Sequence, residues 1–93
     1  MNGLTAFQRD ILYVIEAMDA PHGLAIKKQL EAYYETEVNH GRLYPNLDDL
    51  AEDGLIEKGE YDKRTNKYTL SSEGRALLQA RRKWEDEHLR EAN

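Results

Sequence analysis

NHGRLYPNLDDLAEDGL, residues 39–55, is the stretch on which the reading of this chain turns. Leu43, Leu47 and Leu50 recur at i, i+4 and i+7, so they line one face of a helix. Arg42, Asn46 and Asp49 lie off that face, and Gly54 closes the segment as a C′ residue. Asn39 is suited to cap the front end. His40, Gly41 and Arg42 then fill the first turn with one small residue and two donors. Such a turn can press its backbone against a large partner and offer side chains to it, as a DNA recognition helix does.

The flanking sequence supports that reading. Upstream, Thr5 and Gln8 have the spacing of a capping box, and Phe7, Ile11, Val14, Ile15 and Met18 continue at helical spacing, predicting a helix over 6–18. A turn-rich cluster at 19–23 ends it. A second helix is predicted over 24–34 with Ile26, Leu30 and Tyr33 on one face. Lys28, beside Lys27, lies off that face, where it can approach a phosphate. A four-residue connector leads into the opening stretch, which completes a helix-turn-helix pattern.

Downstream, 55–61 and 67–70 read as strands joined by the polar turn 62–66, with Tyr68 and Leu70 sharing a face by period two. A hairpin directly after a recognition helix has the position of a wing. Lys63, Arg64 and nearby Lys67 form the densest cationic patch in the first seventy residues, suited to phosphates or the minor groove.

Residues 72–92 read as a long helix whose five basic and five acidic residues balance. Leu77, Ala80, Trp84 and His88 line up along it, with Leu78 and Leu89 beside them. A helix of this length with a lone Trp on its stripe exceeds what one small core requires, and a second copy of the chain is the expected partner. The fold class that follows is mainly α with a small β-hairpin: a winged helix-turn-helix over residues 1–71 and a C-terminal dimerisation helix over 72–93.

Composition narrows the function. At 93 residues, 40% hydrophobic and 33% charged, the chain has the profile of a single globular domain. No apolar run reaches the roughly 18 residues of a membrane span, nothing resembles a signal peptide, and there is no cysteine. An intracellular, cytoplasmic protein without disulfides is the expectation. His22, His40 and His88 are far apart, with no metal-ligand spacing, so neither metal nor cofactor is expected. Asp48 and Asp49 are the nearest approach to a catalytic carboxylate pair, but neighbours in a helix diverge by about 100°, and no enzyme is expected. The net charge of −5 runs against phosphate binding. It admits an alternative, a winged-helix module that binds protein rather than DNA, and it also suits a protein working in high salt.

Gly41-Arg42-Leu43-Tyr44-Pro45-Asn46-Leu47, then Leu50 and Glu52-Asp53-Gly54-Leu55-Ile56, resembles the core signature of the PadR-like transcriptional regulators. Lys67-Tyr68-Thr69-Leu70-Ser71-Ser72-Glu73-Gly74 is similar to that family's second wing strand and the start of its last helix, and His22-Gly23-Leu24-Ala25-Ile26 with Leu30 resembles the start of its second helix. The resemblance runs from about residue 7 to 78, and Leu-Tyr-Pro is its most specific part. It implies a dimeric winged-helix repressor on double-stranded DNA. Asn39, His40, Gly41, Arg42, Tyr44 and Asn46 would sit in or beside the major groove, Lys28, Lys63, Arg64 and Lys67 on backbone, and Leu77, Leu78, Trp84, His88 and Leu89 at the dimer interface. It also accommodates Pro45, which propensity alone would not put inside a helix. Arg42 stands where the family commonly has a small hydroxyl residue, and Asn39-His40 where it often has a Ser or Thr cap followed by Pro, so different bases are expected to be read. Some relatives hold a flat aromatic effector between Trp side chains at the interface. Trp84 lies on the corresponding helix, and packing of the interface is the role expected of it here.

Overall fold

A reciprocal capping box starts the first helix, α1 (Ala6–Ala17): the Thr5 hydroxyl accepts from the Gln8 N–H, and the Gln8 side chain accepts from the Thr5 N–H. The computed structural model describes residues 3–89. After α1 come α2 (Gly23–Tyr34), α3 (His40–Glu52), the strands β1 (Ile56–Asp62) and β2 (Thr65–Leu70), and α4 (Ser72–His88). The winged-helix order expected from the sequence is therefore the order observed.

One core joins all six elements. α1 contributes Phe7, Ile11, Leu12 and Ile15, α2 Ile26 and Leu30, and α3 Leu43, Leu47 and Leu50. Val38, Ile56, Tyr68, Leu70 and Leu78 complete it. Each Leu of α3 is fully buried, and burying such a side chain is worth about 1.5–3 kcal/mol, so this face holds α3 against α1 and α2. Gly54, in the left-handed region at φ 79°, ends α3 as a Schellman motif: Leu55 N–H donates to the Leu50 carbonyl and Gly54 N–H to that of Ala51.

The hairpin pairs Ile56 with Leu70 and closes at Asp62 opposite Thr65, with a bulge between Glu60 and Asp62. Its turn is the two residues Lys63 and Arg64, tighter than the five-residue turn expected. The bulge absorbs the register shift, and the Asp62 carboxylate accepts the Arg64 N–H at 2.9 Å. That bond holds the Asp62 carboxyl below its ordinary value. The wing is also tied to the segment before α2, since Tyr68 N–H donates to the Pro21 carbonyl and His22 bridges Lys67.

Two expectations about packing need correction. Tyr33 does not share the buried face of α2: it is 76% exposed. Its neighbour Tyr34 turns inward instead, stacking near Phe7 with its hydroxyl donating to the Asp10 carboxylate. Leu78 offers no surface to a second chain, because it is only 6% exposed and belongs to this chain's own core. The first turns of α4 lie close against that core, and Gly74 explains how. A Cβ there would stand 2.2 Å from the Leu55 carbonyl oxygen, so the glycine that weakens the helix by propensity is what admits the close approach.

Candidate functional site

The first turn of α3 is built by its cap. The Asn39 side chain accepts the Gly41 N–H at 2.7 Å, and Arg42 and Leu43 N–H groups reach the Asn39 carbonyl. Asn39, His40, Gly41 and Arg42 are all exposed, and no acidic residue occupies this turn, which leaves the positive end of the helix dipole uncompensated. The Glu31 carboxylate pins the connector that delivers the turn, accepting from Val38 N–H and from Lys27 Nζ, each at 2.9 Å. The Val38 bond and then the lysine hold the Glu31 carboxyl below its ordinary range.

Three residues expected to face a partner are engaged inside the protein. Tyr44 is half-buried, with its ring 4.3 Å from His40 and its hydroxyl over Gly23, where a Cβ would approach within 2.2 Å. Its side chain packs α3 on the start of α2 rather than standing free. Asn46 is also half-buried, and both ends of its amide are used: Nδ2 donates to the Arg42 carbonyl at 2.7 Å, and Oδ1 accepts from Gln8 Nε2 at 3.0 Å. Arg42 is exposed, yet its guanidinium lies 3.8 Å over the Phe7 ring. The sequence signal for these engagements is thin, since Gln8 reads only as a cap and Phe7 only as core.

The cations divide in the same way. Lys27 pairs with Glu31 and Lys58 with Asp48. Eight cations have no acidic partner among the described residues: Arg42, Lys63, Arg64 and Lys67 on α3 or the wing, Lys28 on α2, Arg9 on α1, and Arg82 and Lys83 on α4. Arg64, Thr65, Asn66 and Tyr68 of the hairpin line one cleft of about 250 Å³ with His22, Gly23 and Leu24 at the start of α2 and Tyr44 of α3. Arg64 of the wing and Tyr44 of α3 therefore border one cleft beside the N-terminal turn of α2.

At the far end, α4 runs past the core. After Leu78 none of its described residues is buried. Trp84 is 47% exposed, with the Arg81 guanidinium 4.5 Å over its ring and His88 stacked at 4.2 Å. Leu89 is 74% exposed, while Leu77 packs partly on the core. Among the described residues there is no cluster able to hold a metal and no helix long and apolar enough to cross a membrane.

The model of the transcriptional regulator PadR-like family matches residues 11–80. Among solved structures, that of H. salinarum RosR grown from NaBr is 52% identical, covering 98% of this chain and 83% of that one with a TM-score of 0.88. Two complex structures of hsRosR are also similar. The S1 complex is 58% identical over 87% of this chain and 71% of that one, with a TM-score of 0.83. The SG complex is 57% identical over 88% and 72%, with a TM-score of 0.84. No curated protein matches.

Proposed function

Because this chain belongs to the PadR-like family of transcriptional regulators, we propose that it acts by binding double-stranded DNA sequence-specifically, as a homodimer on a palindromic operator. The observation that carries this is the cleft shared by the wing tip, the start of α2 and Tyr44 of α3. It sets Arg64 of the wing, which has no acidic partner among the described residues, beside α3, whose first turn is exposed. Repression by occupancy of the operator is the simplest consequence.

In this reading His40, Gly41 and Arg42 enter the major groove, while Lys28, Lys63, Arg64 and Lys67 meet phosphates. Tyr44 packs α3 on the start of α2 and Asn46 ties it to α1, and neither reads a base. Arg42 must leave Phe7 to reach a guanine. It gives up an exposed cation–π contact of about 0.5–1 kcal/mol for a bidentate guanine contact that discriminates against other bases by roughly 1–3 kcal/mol. The net charge of −5 does not decide the matter, because phosphates respond to the local cations within about 10 Å at 0.1 M salt.

One winged helix reads few base pairs, and two copies related by a two-fold axis read a palindrome with half-sites about 34–36 Å apart. The exposed end of α4, with Trp84, His88 and Leu89, supports that axis. Selection from duplexes with a randomised core of about 20 base pairs, followed by sedimentation and salt titration, tests the proposal. The expected result is a preferred palindrome bound by two chains, with affinity falling steeply as salt rises. Equal, salt-insensitive affinity for all duplexes would overturn it in favour of a module that binds protein.

A further inference from the structure

We propose that Gln8, a residue of α1, is a positioning residue for DNA reading, acting through Asn46 on the first turn of α3; the inference rests on the DNA-binding function proposed above. A capping box needs only an acceptor at the position of Gln8, and Glu serves it as well as Gln. Gln8 Oε1 meets that need by accepting the Thr5 N–H at 3.0 Å. The NH2 end of the same amide is surplus to capping, and it donates to Asn46 Oδ1, 38 residues away in sequence, at 3.0 Å.

The orientations in this relay determine one another. Asn46 must turn Nδ2 to the Arg42 carbonyl, which leaves Oδ1 facing α1 and requires a donor there. Gln8 supplies one only because its Oε1 is already directed at Thr5 N–H. Flipping either amide would set two donors or two acceptors face to face.

The relay ends where α3 is weakest. Pro45 lies inside the helix and has no N–H, so the Gly41 carbonyl has no i+4 donor. The turn that carries His40, Gly41 and Arg42 is thus joined to the rest of α3 by one ladder bond fewer. The Asn46 side chain adds a bond to the Arg42 carbonyl just there, and Gln8 fixes the Asn46 side chain to α1. Phe7, the neighbour of Gln8, steadies the same turn through the Arg42 guanidinium. Once Arg42 swings to a base that contact is gone, and the Gln8–Asn46 link still ties the turn to α1.

Gln8→Glu separates capping from positioning. It keeps the acceptor for Thr5 N–H, and with it the start of α1, but removes the donor to Asn46 and turns a carboxylate on Asn46 Oδ1. Amide hydrogen exchange of the free protein should speed up by roughly tenfold at Leu43, Tyr44 and Asn46 and stay unchanged across α1. With duplexes selected by the wild type as probe, the ratio of selected to scrambled affinity should also fall by roughly tenfold, beyond the loss that the added carboxylate imposes on all duplexes alike. In an Asn46→Ala background the same substitution should change neither quantity. Unchanged exchange in α3, or an equal effect of Gln8→Glu with and without Asn46, overturns the relay. A wild type that selects no sequence refutes the DNA-binding function instead, and the exchange measurement then decides the relay by itself.

Discussion

Replacing Gly74 with Ala sets helix propensity against packing, and the structure decides which wins. Propensity favours the change by up to about 1 kcal/mol. The new Cβ, however, would stand 2.2 Å from the Leu55 carbonyl oxygen and 2.8 Å from Leu70 Cδ1, where ordinary contact begins at 3.4 Å. The leucine methyl can rotate away, but the carbonyl cannot yield cheaply. It accepts the Ser71 N–H at 3.1 Å, and Ser71 in turn caps α4 by accepting the Gly74 N–H and donates its hydroxyl to the Gly54 carbonyl at 2.7 Å. Backing α4 off by about 1 Å therefore strains the core at Leu70 and Leu78 and stretches the joint between the hairpin and the last helix.

Overpacking costs about 1–3 kcal/mol and a weakened hydrogen bond about 0.5–1.5 kcal/mol. Against the propensity gain, a net loss of about 2 kcal/mol is expected, or roughly 8–16 °C in Tm for a domain of this size. Thermal unfolding followed by circular dichroism at one protein concentration measures it, since a dimer's midpoint moves with concentration. Gly59→Ala is the control: its Cβ would meet only the Lys67 side chain, at 3.5 Å and beyond, and its Tm should stay within a few degrees. A Gly74→Ala protein as stable as the wild type would refute the close approach of α4 to Leu55.

Three further outcomes follow from the same structure. Replacing Lys63 and Arg64 together with Ala should weaken binding to all duplexes alike and make the log–log salt slope shallower by about one to two per subunit; an unchanged slope would turn the wing tip away from DNA. Trp84→Ala removes the largest exposed apolar group of α4 and should cost about 2 kcal/mol or more of dimer stability, visible in sedimentation as a monomer fraction at micromolar concentration and as lower operator affinity. A wild type that sediments as a monomer on its selected palindrome would defeat that assignment. Burial, and then the bond to Asp10, push the Tyr34 phenol up to about 12, favouring its neutral form. Its contribution to stability is thus full below pH 10 and lost as pH rises towards about 12, and in an absorbance titration Tyr34→Phe should remove a phenol that ionises near pH 12.

What the sequence by itself determined is whatever a local pattern encodes. The Leu43, Leu47 and Leu50 spacing, the caps at Thr5 and Asn39, the C′ glycine and the hairpin after α3 are set within a few residues of one another, because backbone hydrogen bonding and helical period act over that range. The winged-helix order was legible for this reason. Only the tertiary structure decided which polar side chains remain free. Asn46 and Arg42 look alike as exposed donors on α3, yet one is spent on Gln8 and its own helix and the other rests on Phe7. Tyr33 and Tyr34 both lie within about 60° of Leu30 around α2, and it is Phe7 and Asp10 of another helix that draw in Tyr34. Leu78 and Trp84 share one helix, but the core reaches only the first of them. Gly23 and Gly74 read as neutral or weakening until Tyr44 and the Leu55 carbonyl arrive against them. In each case the deciding partner is distant in sequence, and no periodicity records an atom that only folding brings near.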